Sequence, residues 1–200
     1  LRHGDGGLAL FHGGAEEDPT LVDVVLALAG TEAVVPSRFS GGYERASGGE
    51  ALVLFDVAAP PPKHHDRAAH AGTLAFEFST GAARLIVNCG AYRGGDPAWR
   101  EAGRMTAAHS TLVLGDRNSA EIVPGGGLRP RPGEITLARQ EDEGAAWIAG
   151  SHDGYLGRFG VLHRRRLFVA ADGDDLRGED RLAPAAGRRI PATTLGTPFG

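Results

Sequence analysis

The sequence predicts a mainly β chain: an antiparallel β-sandwich preceded by one short helix. Three observations predict it. Short runs alternate apolar with polar side chains, clusters of Gly, Pro and Asp separate those runs, and helical patterning is confined to two brief stretches. A parallel α/β sheet would need a helix between successive strands, and the sequence does not supply one each time.

Taken in order, residues 1–14 hold a short apolar run, Leu8-Ala9-Leu10-Phe11, set between glycines. Asp18-Pro19 then opens a helix, since Asp caps the first free amides and Pro suits the first helical position. The helix runs through Leu21, Val22, Val24, Val25, Leu26 and Leu28, and Gly30 stops it. Its apolar residues fall nearly all round, so it is expected to be buried against something. After Pro36 the patterning turns to β. Residues 50–58 read as a strand, and the proline-rich stretch 59–62 as a break. Along 73–79, Leu74, Phe76 and Phe78 point one way while Ala75, Glu77 and Ser79 point the other. Gly81 turns the chain into a strand over 84–89. A short helix is expected at 97–104, followed by strands at 110–114, 134–139, 145–150 and 160–170. The stretch 123–133, with three consecutive glycines and three prolines, is expected to be loop.

A chain of 200 residues, 42% hydrophobic, can bury one substantial core. The net charge of -4 argues against general nucleic-acid binding or adhesion to a membrane surface. No apolar run reaches the ~18 residues of a bilayer span, and no signal-peptide pattern opens the chain. The sequence starts at Leu1 and stops at a Thr197-Pro198-Phe199-Gly200 turn, so it reads as a fragment. One cysteine, Cys89, excludes an internal disulfide and any multi-cysteine metal site, and its apolar run suggests an inert buried thiol.

An ordered set of motifs adds to this reading. His70-Ala-Gly-Thr-Leu-Ala-Phe-Glu-Phe is followed by Arg84-Leu-Ile-Val-Asn-Cys-Gly, then Trp99-Arg100, then Thr106-Ala-Ala-His109-Ser-Thr-Leu. Ser151-His152-Asp153-Gly154-Tyr155 and His163-Arg164-Arg165 come later. The set resembles the C-terminal domain of the heparinase II/III family of polysaccharide lyases, over roughly residues 52–182.

That resemblance implies an architecture and a chemistry. Residues 1–35 would be the end of an N-terminal α/α toroid, whose other helices lie outside this chain, and 36–200 a β-sandwich truncated at its C-terminus. The whole protein would cleave uronic-acid-containing glycans by β-elimination, with an acidic polysaccharide as partner and a periplasmic or secreted location. The alternative is a non-catalytic module that binds acidic glycan or serves structure alone.

The resemblance also assigns residues. A structural zinc would be held by His70, Asn88 and His109. Asn88 departs from the family, because a neutral amide stands where an aspartate is usual and is a poorer ligand. The competing reading makes His70 and His109 hydrogen-bonded core histidines beside a buried Asn. A second departure is Ala68, where many family lyases carry a histidine two residues before the first zinc ligand; alanine moves no proton. The catalytic residues of the chain are left unassigned. Arg2 and His3, in a Gly-Asp turn resembling the one near the end of the toroid, and Tyr155 are candidates for contact with sugar. His152 and Asp153 suggest an acid–base pair, yet strand neighbours point to opposite faces, and Asp153-Gly154 suits a turn. Arg164 and Arg166 share one strand face, open either to an acidic glycan or to pairing with the acidic stretch 172–180.

Overall fold

The computed structural model describes residues 1–30 and 41–185. The boundary at 35/36, the change of patterning after Pro36 and the Thr197–Gly200 turn lie outside the described residues.

Two four-stranded antiparallel sheets make the body. In the first, β1 (Tyr43–Gly48), β2 (Ala51–Asp56), β3 (Phe76–Thr80) and β4 (Ala83–Ile86) pair in chain order. The second has β5 (Ile135–Asp142), β6 (Ala145–His152), β7 (Val161–Val169) and β8 (Leu176–Pro184), also in chain order. Neighbours in sequence are therefore neighbours in space, as hairpin connections require. Helix α1 spans Pro19–Leu28, α2 spans Pro97–Arg104 and runs on to a 3-10 turn at Thr106–Ala108, and α3 is the single turn Leu156–Phe159.

The period of two decides which residues meet. Ala46, Ala51, Val53, Phe55 and Val57 face Ala146, Ile148, Leu167 and Val169 across the interior, with Leu74 between them. Phe76 and Phe78 pack on the same cluster. Burying a side chain such as Phe55 is worth roughly 1.5–3 kcal/mol, and ten such residues form one continuous core.

β2 is buried at every position, where a half-buried strand would alternate. The cause is a third layer. The N-terminal segment lies on the outer face of the first sheet, with Phe11 packed on Leu52, Leu54 and Ala75. The close approach needs glycine: a Cβ on Gly4 would fall 1.8 Å from the Gly81 carbonyl oxygen at the β3–β4 turn. At one end the two sheets are tied by the Gly49 amide, which donates to the Ala171 carbonyl at 3.0 Å.

Several expectations need correction. Residues 110–114 form no strand; the Ser110 hydroxyl bonds the Phe76 backbone, accepting from its amide at 2.9 Å, and so replaces a ladder with side-chain contacts. The expected strand at 73–79 begins only at Phe76, because Leu74 adopts φ +62 inside a turn closed by the Ala75 amide and the Gly72 carbonyl. Cys89 is exposed and lies beyond β4. α1 forms with the expected Asp18 cap, yet none of its residues is buried, and Leu21, Val24, Val25 and Leu28 stand exposed. β1 and β8, both rich in charged residues, were not anticipated as strands.

Candidate functional site

The two histidines singled out by sequence meet at the flank of the first sheet. His70 Nδ1 and His109 Nε2 are 3.0 Å apart, with the rings edge to face. The Met105 carbonyl, at the end of α2, accepts from His109 Nδ1 at 2.8 Å. His109 is thus protonated on Nδ1, so its Nε2 accepts from His70 Nδ1–H and leaves His70 Nε2 unprotonated. Burial, with His109 beside it, pushes the His70 imidazole down to about 3, so it is neutral near pH 7. Burial lowers His109 as well.

Asn88 belongs to a different network. Its Nδ2 donates to Glu77 Oε1 at 3.0 Å, and its Oδ1 accepts from the Ser110 amide at 3.0 Å. Both ends of the amide are engaged. Two ligand nitrogens on one tetrahedral zinc sit roughly 3.3 Å apart, given Zn–N near 2.0–2.1 Å, so His70 and His109 are spaced for one ion. Among the described residues, however, no group of three His, Cys, Asp or Glu side chains is placed to hold a metal. A closed structural zinc centre takes four ligands. The described donors do not by themselves make one.

Glu77 explains what the N-terminal histidine does. His3 Nε2 lies 2.7 Å from Glu77 Oε2, and His3 Nδ1 lies 2.9 Å from Ser79 Oγ. The Leu10 and Asn88 amides also donate to Glu77 Oε1. Burial opposes ionisation of Glu77, but the bonds from His3, Asn88 and Leu10 outweigh it and hold the carboxyl below its usual range. His3 is buried, so in this chain it pins the N-terminal segment to β3 and does not face a sugar. Arg2 pairs with Asp23 of α1 at 2.6 Å. Tyr155 is likewise a correction: it is 1% exposed, and its hydroxyl donates to the Leu112 carbonyl at 2.6 Å. That ring is core.

Around His70 the surface opens into a cleft of about 360 Å³, lined among others by Arg67, Ala68, Tyr92, Arg100 and Arg104. Arg104 is buried and held by the Ala69 and Gly126 carbonyls, at 3.0 and 3.1 Å. Arg67 and Arg100 are exposed. His12 sits nearby, strained at φ +50, with Nε2 3.2 Å from Asp56 Oδ2. Burial disfavours its charge, but the adjacent Asp56 carboxylate prevails and raises it above the ordinary imidazole value. Neither ring nitrogen of His12 completes a hydrogen bond. Sequence reasoning missed His12, Asp56 and Glu77, because only the docked N-terminal layer buries them.

A second polar chain runs between the sheets. The Gly154 amide donates to His152 Nδ1, His152 Nε2 to His163 Nδ1, and His163 Nε2 to Asp180 Oδ1, at 3.0, 3.0 and 2.7 Å. Arg165 adds a fork onto Asp180 at 2.8 and 2.7 Å. It is Arg165, on the inward face of its strand, that pairs with the acidic strand, and not Arg164 as expected; His152 partners His163, not Asp153. Asp153 opens the turn, its carbonyl accepting from the Leu156 amide at 2.8 Å, and Gly154 and Tyr155 form it.

Two stacked antiparallel sheets, with a histidine pair at the mouth of a cleft lined by arginines, define an antiparallel β-sandwich domain. The chain belongs to the heparinase II/III-like C-terminal family, whose model matches residues 36–196. It is 34% identical over 194 residues to the FtsZ-localized protein C of Caulobacter vibrioides, a match spanning 92% of this chain and 33% of that protein. Its fold is similar to that of a heparinase III gene product (TM-score 0.63, 18% identity, 92% of this chain and 30% of that one). It is also similar to the heparan sulfate lyase HepC of Pedobacter heparinus (TM-score 0.65, 15% identity, 92% of this chain and 31% of that one). The chain therefore spans about a third of the length of these relatives.

Proposed function

We propose that the chain is the β-sandwich part of a polysaccharide lyase that cleaves uronic-acid-containing glycans by β-elimination. The observation that carries this reading is the cleft at His70, where Arg67, Arg100 and Arg104 gather round a neutral imidazole and the Tyr92 phenol. Guanidinium groups suit a uronate carboxylate, and they stabilise the enolate charge that develops when the α proton leaves. Tyr92 and His70 are the proton-handling groups this chain offers at that place. Further groups come from the helical toroid expected beside it. The substrate class places the protein in the periplasm or outside the cell. The test incubates the intact protein with heparan sulfate, oligoglucuronate and alginate and follows the ultraviolet absorbance of the unsaturated product. Product from a uronate polymer, reduced at least tenfold by Arg100→Ala, supports the reading. Absence of product on all three polymers overturns it.

A second reading rests on Ala68, on the engaged amide of Asn88, and on the relative at 34% identity whose name places it with FtsZ. In it, the domain binds without cleaving, as part of a protein localised with FtsZ. Co-sedimentation of the intact protein with FtsZ polymers, in the absence of any lyase product, supports that version. Failure to sediment with the polymers removes it.

A further inference from the structure

The outer face of the second sheet carries three arginines, Arg164, Arg166 and Arg181, of which Arg164 has no counter-charge among the described residues. Arg164 and Arg181 are register partners on β7 and β8, so two guanidinium groups stand side by side on one face. Like charges opposite each other on paired strands are destabilising. Arg181 is neutralised by Glu179, with Nε–H donating to Oε1 at 2.8 Å. Arg164 is exposed and makes no hydrogen bond or ion pair within the described residues. Two positions along, Arg166 stacks over the Trp147 ring at 3.8 Å, in register with Glu179 on β8. A fold that needed these arginines only for solubility would not set one against another cation.

The ground beside them is shaped to receive something. Ser151 pairs with Arg164 in register, and Thr136 pairs with Ser151, their hydroxyls 2.7 Å apart. One row across the four strands therefore reads hydroxyl, hydroxyl, guanidinium, guanidinium. The next row reads Ala138, Ala149, Arg166 and Glu179, and its two alanines lower the floor. The result is a groove of about 400 Å³ that crosses the sheet. It lies on the side of the sandwich facing away from the first sheet, and so from the His70 cleft. Glu134, Asp153 and Glu179 also line the groove, outnumbered by four arginines; the unpaired planar fork of Arg164 matches a carboxylate or sulfate group, and the hydroxyls beside it match sugar hydroxyls.

We propose that this groove binds an acidic polysaccharide, with Arg164 and Arg166 as the anion-recognising residues and Ser151 and Thr136 as hydroxyl contacts. The site is separate from the cleft and holds the polymer whether or not the protein cleaves it.

Trp147 lies under Arg166 and serves as the reporter. The intact protein with Trp99→Phe, which removes the other tryptophan of this chain, is titrated with heparan sulfate and with neutral dextran. Emission from any tryptophan elsewhere in the protein is subtracted with a Trp147→Phe control. Heparan sulfate is expected to shift Trp147 emission saturably, and dextran to leave it unchanged. Arg164→Ser changes an exposed position that makes no internal bond, so it keeps the fold, and it is expected to weaken heparan binding about tenfold. Arg164→Ser binding as tightly as the parent overturns the proposal. So does equal binding of polyglutamate or single-stranded DNA, which marks a general anion surface. Binding that persists in Arg100→Ala, and is lost in Arg164→Ser, separates this groove from the cleft.

Discussion

His152 and His163 share one proton path: the Nε2 of the first donates to the Nδ1 of the second at 3.0 Å, inside the sandwich. The bonds at either end fix both tautomers. The Gly154 amide occupies His152 Nδ1, and Asp180 accepts from His163 Nε2. A proton added to His152 must displace the Gly154 amide, since Nδ1 is the only lone pair on that ring. Burial, and then the neighbouring His163 and Arg165, push His152 down to about 3.

Acid sensitivity follows with a definite sign. A histidine near 6.5 in the unfolded chain and about 3 in the folded one contributes stability that is complete above 6.5 and is lost as pH falls to 3. Asp180, held at about 2 by His163 and Arg165 against the effect of burial, adds a loss between 3.8 and 2. His70, also near 3, acts in the same direction as His152. His12, raised by Asp56, acts oppositely, and its contribution fades as pH rises through its folded value. Urea unfolding from pH 7 to pH 4 is expected to show a drop on the order of a few kcal/mol. His152→Gln should flatten part of that slope. A slope unchanged in the variant sinks the assignment.

Restoring the family's aspartate is expected to harm the protein. Asn88→Asp replaces the amide that donates to Glu77 at 3.0 Å with a second carboxylate. Buried like charges at that distance, together with the lost donor, should cost ~2–4 kcal/mol. The parent protein should contain well under one zinc per chain by elemental analysis. If the variant is as stable as the parent without zinc, Asn88 does not hold Glu77; if the parent carries one zinc, ligands outside the described residues complete the His70–His109 pair.

Tyr155→Phe isolates one bond. The hydroxyl donates to the Leu112 carbonyl while the ring packs with Leu114 and Val161. Removing the oxygen should cost about 1–1.5 kcal/mol in thermal or urea unfolding and leave heparan affinity untouched. A variant of parental stability that loses glycan binding contradicts the core placement.

The sandwich was legible where one side chain in two was apolar, as in β6 and β7, and where Asp-Pro or Gly marked an end, as at α1 and the β3–β4 turn. β1 and β8 escaped notice because they lie at sheet edges, where Arg45, Glu179 and Arg181 carry charge outside the core and the buried Glu44 is paired with Arg139 of the other sheet. The meeting of His70 with His109 was legible from ordered motifs and needed no contact information. The destination of Glu77 was not. Alternation places it opposite Phe76 and Phe78, on what one layer fewer would make a solvent face, and only the folding back of residues 1–14 turns that face into an interior. Tyr155 was misplaced for a related reason: a tyrosine beside a turn looks exposed until the loop after His109 is seen to cover it.

The strongest test of that third layer is the pair His3 and Glu77. His3 closes over a carboxylate that also receives the Leu10 and Asn88 amides, so one imidazole ties the chain start to β3. Removing the hydrogen-bond partner of a buried carboxylate typically costs about 1–3 kcal/mol, because the acceptor is left unsatisfied. His3→Ala is therefore expected to lose about that much stability and to expose residues 1–14 to protease before the sheets unfold. His3→Gln, which can still donate to Glu77, should recover part of the loss. Because Glu77 is held below its usual range, the parent's advantage over His3→Ala should be full above 4.5 and shrink as pH falls further. Equal stability and equal protease resistance in His3→Ala and the parent show that the segment is not docked, and with it falls the burial of the outer face of β2.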